Sequence, residues 1–140
     1  MDATTFRAWI SEAAKLVVDN ADHLTHLDAA IGDADHGINL RRGFQAAVAM
    51  LAETDPATPA AVLATVGRAL ITKTGGASGP LYGTGFRQAA KTLGEDADVS
   101  AVQLGAALRP GPGGDPVEVG GHGPERHLDR VRTDRPGADR

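Results

Sequence analysis

The chain has 140 residues, a formal net charge of −4 and no cysteine; 41% of its residues are hydrophobic and only 4% are aromatic. This length suits one domain with its own core, the acidic balance argues against a nucleic-acid surface, and the lack of cysteine excludes disulfides and thiolate metal sites. The sequence has no run of about 18 apolar residues, as a membrane span requires, and no secretory signal, so a cytoplasmic protein without a membrane partner is expected.

Apolar residues recur every three to four positions along most of the chain up to Leu108, as they do in amphipathic helices. Thr58 and Ser100 are predicted N-caps, and Pro59 suits a first helical position. Because no stretch alternates with a period of two, we expect an all-α fold of antiparallel helices joined by short loops. The pattern predicts helices over residues 4–24, 39–53, 60–74, 86–95 and 100–108.

The composition changes after Leu108. Residues 109–140 hold 7 of the 18 glycines, 5 of the 8 prolines and six arginines, but no lysine. Such a segment buries too little apolar surface to offset the entropy lost on ordering, so we expect a domain over residues 1–108 and a disordered tail after it. Glycine, proline, arginine, histidine and aspartate in these proportions are also what GC-rich coding DNA yields out of frame, and we favour a reading frame lost near Leu108.

Residues 27–40, LDAAIGDADHGINL, place three aspartates between two predicted helices. If the chain from Asp33 to Asp35 is extended, their side chains point the same way, and Asp28 can fold back from the end of the first helix. Three convergent carboxylates repel one another and raise one another's pKa values unless a cation joins them. Three carboxylates without a closing glutamate suit Mg²⁺, which completes its shell with water and phosphate oxygens.

Besides a magnesium site, the three aspartates suggest an EF-hand or a simple helix cap. An EF-hand is excluded, because position 12 counted from Asp33 is Phe44 and not a glutamate. The simpler alternative is that Asp33 and Asp35 only turn the chain and cap the helix that follows. The spacing alone leaves this alternative open, because short motifs produce many false positives.

A second motif, TGGASGPLYGTGF at residues 74–86, lies between two helical patterns. Its glycines leave backbone N–H groups open, Ser78 adds a hydroxyl, and Pro80 can open the next helix. A loop of small residues that feeds a helix N-terminus is suited to phosphate, although an ordinary interhelical turn would explain the loop if it stood alone. It is neither a P-loop nor a Rossmann fingerprint, since no strand precedes it.

Together, LDAAIGDADHGINLRRGF and GGASGPLYGTGF closely resemble the nucleotide-binding L subunits of dihydroxyacetone kinases, and the resemblance extends over residues 1–108. It implies an antiparallel barrel of eight helices that holds ADP or ATP with two Mg²⁺ ions at one end. About five of those eight helices are expected here, so the bundle is incomplete. The nucleotide-binding half of bacterial fatty-acid kinases is a related family with threonine in place of His36, so the histidine favours the dihydroxyacetone kinase branch.

The resemblance also implies roles for particular residues, with no catalytic residue beyond the metal ligands. The metal ligands would be Asp28, Asp33 and Asp35. The residues that would line the nucleotide at the N-terminus of the second predicted helix are His36, Gly37, Ile38 and Asn39. In the glycine-rich loop, the nucleotide-binding residues would be Gly76, Ala77, Ser78 and Gly79, with Ala77 and Ser78 meeting the phosphates.

Partners follow from the same resemblance. In this family, subunit K binds dihydroxyacetone, and a phosphohistidine carrier subunit of the phosphotransferase system recharges bound ADP to ATP. The chain starts close to its first helix, which is typical of the separate subunit and not of the fused ATP-dependent kinase, although an ATP-exchanging variant stays open.

The chain departs from the family after Leu108. Family members continue with further helices and a Gly-Asp-Lys-Thr-type loop over the nucleotide, which residues 109–140 do not match. We therefore expect a truncated subunit that exposes apolar helix faces and is poorly active or inactive. Two other classes stay open: a non-catalytic nucleotide-binding or regulatory module, and a non-functional gene fragment.

Overall fold

A computed structural model describes residues 1–109, so the predicted tail lies outside the described residues apart from Arg109. Within this range every regular element is an α-helix, which confirms the predicted all-α class, with six helices where five were predicted. None of these helices is long and apolar enough to cross a membrane. The helices are α1 (Ala3–Asp19), α2 (Ala21–Asp28), α3 (His36–Thr54), α4 (Pro59–Lys73), α5 (Ser78–Leu93) and α6 (Ala101–Ala107).

Helices α3, α4 and α5 form an antiparallel layer with α4 in the middle. On α3, Asn39 lies against Gly75, just beyond the end of α4, and Gly43, one turn later, lies against Thr74. Residue numbers therefore rise along α3 while they fall along α4. Helices α1 and α2 pack on α3, and α6 packs on α5.

Helix α1 closes one side of this layer. Phe6 and Ile10 of α1 are buried with Leu63 and Leu70 of α4, and these side chains anchor the core. By contrast, Leu16 of α1 is 64% exposed. Apolar residues spaced three or four apart on the next two long helices are buried as well: Leu40, Phe44 and Leu51 on α3, with Val48 partly buried, and Val62, Val66 and Leu70 on α4.

Both predicted N-caps are confirmed. The Thr58 hydroxyl accepts a hydrogen bond from the Ala61 N–H at 3.2 Å, with Pro59 at the first helical position. Ser100 and Gln103 form a capping box at the start of α6. Both caps could be predicted from the sequence because a cap depends on residues that lie close together along the chain.

The single helix predicted over residues 4–24 is wrong, because the chain breaks at Asn20 into α1 and α2. The Asn20 side chain donates to the Leu16 carbonyl at 2.8 Å, and its backbone N–H donates to the same oxygen. An asparagine that bonds the preceding turn competes with helix continuation. The break lets α2 pack against the first turn of α3, where Gly37 touches the Ala21 carbonyl.

The prediction that the glycine-rich stretch interrupts the helices up to residue 86 is also wrong, since α5 begins at Ser78. The reason is tertiary. A Cβ added to Gly79 would lie 2.8 Å from the Thr74 carbonyl oxygen, and one added to Gly83 would lie 2.7 Å from the Gly67 carbonyl oxygen. The glycines are helical because α5 meets α4 backbone to backbone, and this contact overrides their low helix propensity.

We expect Gly83→Ala to lower the free energy of unfolding by about 1–3 kcal/mol, because its methyl group would overlap α4. Gly85→Ala is the matched control on the same helix: nothing lies within 4 Å of its added Cβ. It should raise the free energy of unfolding by about 0.5–1 kcal/mol through helix propensity. Denaturant unfolding monitored by circular dichroism measures both, and two variants of equal stability would contradict the packing described for α5.

Candidate functional site

Three carboxylates meet where α2 ends and α3 begins. Asp28 is the last residue of α2, and Asp33 and Asp35 lie in the loop before α3. One carboxylate oxygen from each lies within 4.8 Å of the others. The packing of α2 on α3 brings Asp28 back toward the loop, as its position at the end of the first predicted helix had indicated.

The loop reaches this arrangement by a different route from the predicted extended one. Ala34 has a φ of +60°, in the left-handed region, and Asp35 has φ −121° and ψ −5°. A left-handed alanine costs about 1–2 kcal/mol. The loop is therefore a tight turn whose backbone is held by its surroundings, and Asp33 and Asp35 converge across it.

Asp28 holds this turn. Its Oδ2 accepts hydrogen bonds from the backbone N–H groups of Asp35, at 3.1 Å, and His36, at 3.4 Å. Gly32 leaves room for the other oxygen, because a Cβ there would overlap Oδ1 of Asp28. Asp35 is the N-cap residue of α3, but its side chain makes no capping hydrogen bond. The capping alternative for Asp33 and Asp35 thus fails for Asp35, and it is Asp28 that bonds the first backbone N–H groups of α3.

The charges of the cluster repel one another. The pKa of Asp33 is raised above its ordinary value of 3.8, chiefly by the hydrogen bond to the Asp35 side chain and also by the negative charges of Asp35 and Asp28. None of the three carboxylates forms an ion pair with lysine or arginine within residues 1–109. Carboxylate oxygens that converge without a counter-charge are the donor set that a hard divalent cation prefers.

The glycine-rich loop, which is now residues 74–77 between α4 and α5, lies at the same end of the layer and meets α3 at Asn39. A Cβ on Gly75 would lie 2.5 Å from Oδ1 of Asn39, and one on Gly76 would lie 3.8 Å from its Nδ2. Asn39 is only 6% exposed, and Gly76 has a φ of +63°. The two sequence motifs, which are well separated along the chain, are thus joined through one buried amide side chain.

Two helix N-termini point into this region. The N-cap residues of α2, α3 and α5 make no side-chain capping hydrogen bond, and at α3 it is Asp28 that accepts from the backbone N–H groups of Asp35 and His36. Helices α1, α4 and α6 are each capped by their own side chains. The first turns of α3 and α5 carry partial positive charge, which favours an anion. Carboxylates for a cation and helix ends for an anion therefore lie side by side.

The predicted nucleotide residues divide into two groups. Ile38, Gly76 and Ala77 are exposed, and His36 is half-buried. Gly37, Asn39, Ser78 and Gly79 are buried. Gly37 packs on α2 and Gly79 on α4, while the Ser78 hydroxyl donates to the Gly75 carbonyl at 3.3 Å. These buried residues shape the two loops, and the exposed ones present the surface that a ligand can reach.

Two threonines at the site were not predicted. The Oγ1 atoms of Thr25 and Thr74 are buried and have no hydrogen-bond partner within the described residues. Thr25 lies beside Gly37, and Thr74 lies against Gly43 just before the glycine-rich loop. The sequence offered one weak signal, since Thr74 directly precedes the glycine pair.

Comparison with known proteins connects this geometry to a family. Residues 30–117 match the model of the DAK2 domain. The chain is 35% identical over 106 residues to the ADP-binding subunit DhaL of the PEP-dependent dihydroxyacetone kinase of Escherichia coli K12, which covers 76% of this chain and 50% of that protein. It is 42% identical over 85 residues to the corresponding subunit of kinase 1 of Listeria innocua, covering 61% and 43% of the two chains. It is also 41% identical over 81 residues to triokinase/FMN cyclase of Rattus norvegicus, covering 57% and 14%.

The chain spans about half the length of the bacterial relatives it matches. The family match includes Asp33, Asp35, the first turn of α3 and the whole glycine-rich loop, and it begins two residues after Asp28. Because the matched segment is more than half of the 140 residues, this chain belongs to the DAK2 domain family.

Proposed function

We propose that this chain is the nucleotide-binding part of a dihydroxyacetone kinase, which binds ADP or ATP with Mg²⁺ and delivers a phosphoryl group to dihydroxyacetone held by a partner subunit. The observation that carries this proposal is the juxtaposition at Asn39, where the acidic loop (residues 28–35) and the glycine-rich loop share one end of the helical layer. The bacterial relatives, which are named ADP-binding subunits of PEP-dependent dihydroxyacetone kinases, supply the ligand and the reaction.

The donor set fits magnesium. Asp28, Asp33 and Asp35 would hold the metal, because their oxygens converge and the pKa of Asp33 is raised, chiefly by the hydrogen bond to Asp35 and also by the negative charges of Asp35 and Asp28, which a cation would offset. We propose two Mg²⁺ ions, as the family resemblance implies, since their four positive charges balance the negative charges that the nucleotide phosphates bring. When bound, the metal would neutralise phosphate charge during transfer.

The chain's own residues would position the phosphates. Backbone N–H groups at Gly76 and Ala77 lie in an exposed loop at the N-terminus of α5, and Ser78 and Gly79 continue it into the helix. His36 and Ile38 would line the nucleotide at the start of α3. Phosphoryl transfer requires little of a protein beyond such positioning and charge neutralisation.

The acceptor would come from elsewhere. We propose that a partner equivalent to subunit K presents dihydroxyacetone, that a phosphohistidine carrier recharges the bound ADP, and that all three proteins meet in the cytoplasm. Two observations support this proposal: the relatives are named as subunits of a kinase, and the groups found at the described site, carboxylates and backbone N–H groups, suit a cation and phosphates.

We expect Asp33→Asn and Asp35→Asn each to lower ADP affinity at least about tenfold when Mg²⁺ is present, because each removes a proposed metal ligand. Isothermal titration calorimetry with and without Mg²⁺ measures this. Glu53→Gln is the control, since it removes an equal charge from the exposed end of α3 farthest from the site. Unchanged ADP affinity in both aspartate variants would contradict the proposed metal site.

We expect Asp33→Asn to raise the melting temperature of the metal-free chain at neutral pH. A folded-state pKa above the ordinary 3.8 means that ionising Asp33 disfavours folding, so this residue's contribution to stability is lost as pH rises through that pKa. The gain should be small, because Asp33 is exposed and screened. In thermal melts, the difference in melting temperature between variant and parent should shrink as the pH falls toward 3.8, the ordinary pKa of aspartate. A variant less stable than the parent at neutral pH would refute the repulsion between the carboxylates.

We expect the chain alone to form no dihydroxyacetone phosphate from Mg²⁺-ATP and dihydroxyacetone, because the acceptor site belongs to a partner. A coupled assay of the isolated chain measures this, with a subunit K and carrier from a bacterial relative added in a parallel reaction. Dihydroxyacetone phosphate formed by the isolated chain would refute the proposal that the acceptor site belongs to a partner. ADP binding without transfer in the complete mixture would favour a regulatory nucleotide-binding module instead.

A further inference from the structure

Helices α4 and α5 carry positive charge only. They contain Arg68, Lys73, Arg87 and Lys91 and neither aspartate nor glutamate, although the whole chain has a net charge of −4. The ion pairs found within residues 1–109 join other groups. The positive charge of these two helices is therefore not neutralised inside the described part of the chain.

An open groove of about 550 Å³ follows the outer face of α4 beside α5. Ala61, Ala64 and Ile71 provide an apolar floor, and Arg68 and Arg87 stand at its rim. Thr65 and Thr72 complete the lining. A second groove lined by Thr84, Gln88 and Lys91 shares Arg87 and extends the basic surface along α5.

Arg87 is held in place by its stem. A Cβ on Gly67 would lie 2.6 Å from Cγ of Arg87, so the methylene groups of Arg87 pack across α4 at this glycine. The backbone contact between α4 and α5 therefore also anchors the root of this side chain beside the groove. A partly immobilised arginine loses less entropy when it binds a carboxylate than a free one does.

We propose that this groove docks an acidic, amphipathic helix of a protein partner. The distance from Ala61 to Thr72 along α4 is about 16 Å, or three helical turns, at about 1.5 Å per residue. An apolar stripe of the partner would contact the alanines and Ile71, and carboxylates beside that stripe would pair with the two guanidinium groups, which bind carboxylates with two parallel hydrogen bonds. This surface lies apart from the acidic loop, so the inference does not depend on the nucleotide function.

Other occupants fit less well. A second copy that met this face through two-fold symmetry would set arginine against arginine. Single-stranded nucleic acid binds basic grooves that also offer aromatic side chains for stacking, and none lines this groove. Duplex DNA or an anionic membrane would also face the net negative charge of the rest of the chain.

The test uses the full chain and a fluorescein-labelled synthetic helix of about 18 residues, long enough to be helical in part, with leucine on one face flanked by glutamate. Fluorescence anisotropy should show saturable binding that weakens as NaCl rises from about 0.05 to 0.3 M, and no binding of the same peptide with lysine for glutamate. The double variant Arg68→Gln/Arg87→Gln should bind at least about tenfold more weakly.

Matched variants separate docking from general charge attraction. Lys15→Gln/Arg42→Gln removes two exposed charges from α1 and α3 and should leave peptide affinity within about twofold. The single variant Arg87→Lys keeps both charges but cannot form the two parallel hydrogen bonds of a guanidinium group, so its peptide affinity should lie between those of the parent and the double glutamine variant. Ala64→Tyr leaves every charge but fills the exposed floor, and it should weaken binding as much as the double glutamine variant.

Circular dichroism melts confirm that each variant is folded. A peptide affinity of Ala64→Tyr equal to that of the parent would contradict docking in the groove, because the attraction would then come from charge alone. The absence of acidic-peptide binding by the parent would overturn the proposal, as would tighter binding to a DNA duplex or to phosphatidylserine vesicles than to the peptide.

Discussion

The candidate site depends on how closely α3 and α5 approach α4. Gly43 lies against Thr74, and Gly83 lies against Gly67, at distances that a methyl group would not permit. Glycine in a helix costs about 1 kcal/mol relative to alanine, so the van der Waals attraction between the closely packed helices must offset that loss. Because neighbouring helices in this layer are antiparallel, the same close packing brings the N-termini of α3 and α5 to one end. The acidic loop and the glycine-rich loop become neighbours only through this geometry.

Local signals in the sequence predicted local structure well. Thr58 and Ser100 cap their helices because the hydrogen bonds that define a cap join residues three apart. The helix start at Ser78 was missed because a contact with another helix prevailed, whereas the break at Asn20 has a local cause as well, the two hydrogen bonds from Asn20 to the Leu16 carbonyl. The chain breaks at Asn20, where α2 can then pack on α3, and α5 starts at Ser78 because its glycines meet α4. The left-handed Ala34 is held by a turn that closes on an aspartate from another helix, which no pattern within the loop reveals.

Convergence of the aspartates was predictable in outline because Asp33 and Asp35 share a short loop and Asp28 comes just before it, but the different roles of the three were not predictable. Asp28 is partly structural, since its Oδ2 accepts hydrogen bonds from the backbone N–H groups of Asp35 and His36 at the start of α3. Substituting it would disturb the turn and any metal together. Asp33 is exposed and its pKa is raised, chiefly by the side chain of Asp35, so its negative charge opposes folding.

Charge is segregated on this chain in a way that packing alone does not require. The acidic loop is at one end of the layer, whereas all the charged residues of α4 and α5 are basic and exposed. The two regions are nevertheless mechanically connected, because the groove along α4 ends at Thr72, only two residues before Thr74 and the glycine-rich loop. The groove runs along the same α4–α5 contact that places the glycine-rich loop beside Asn39. The basic surface and the loop are therefore built on one pair of helices whose backbones lie too close to admit a side chain between them.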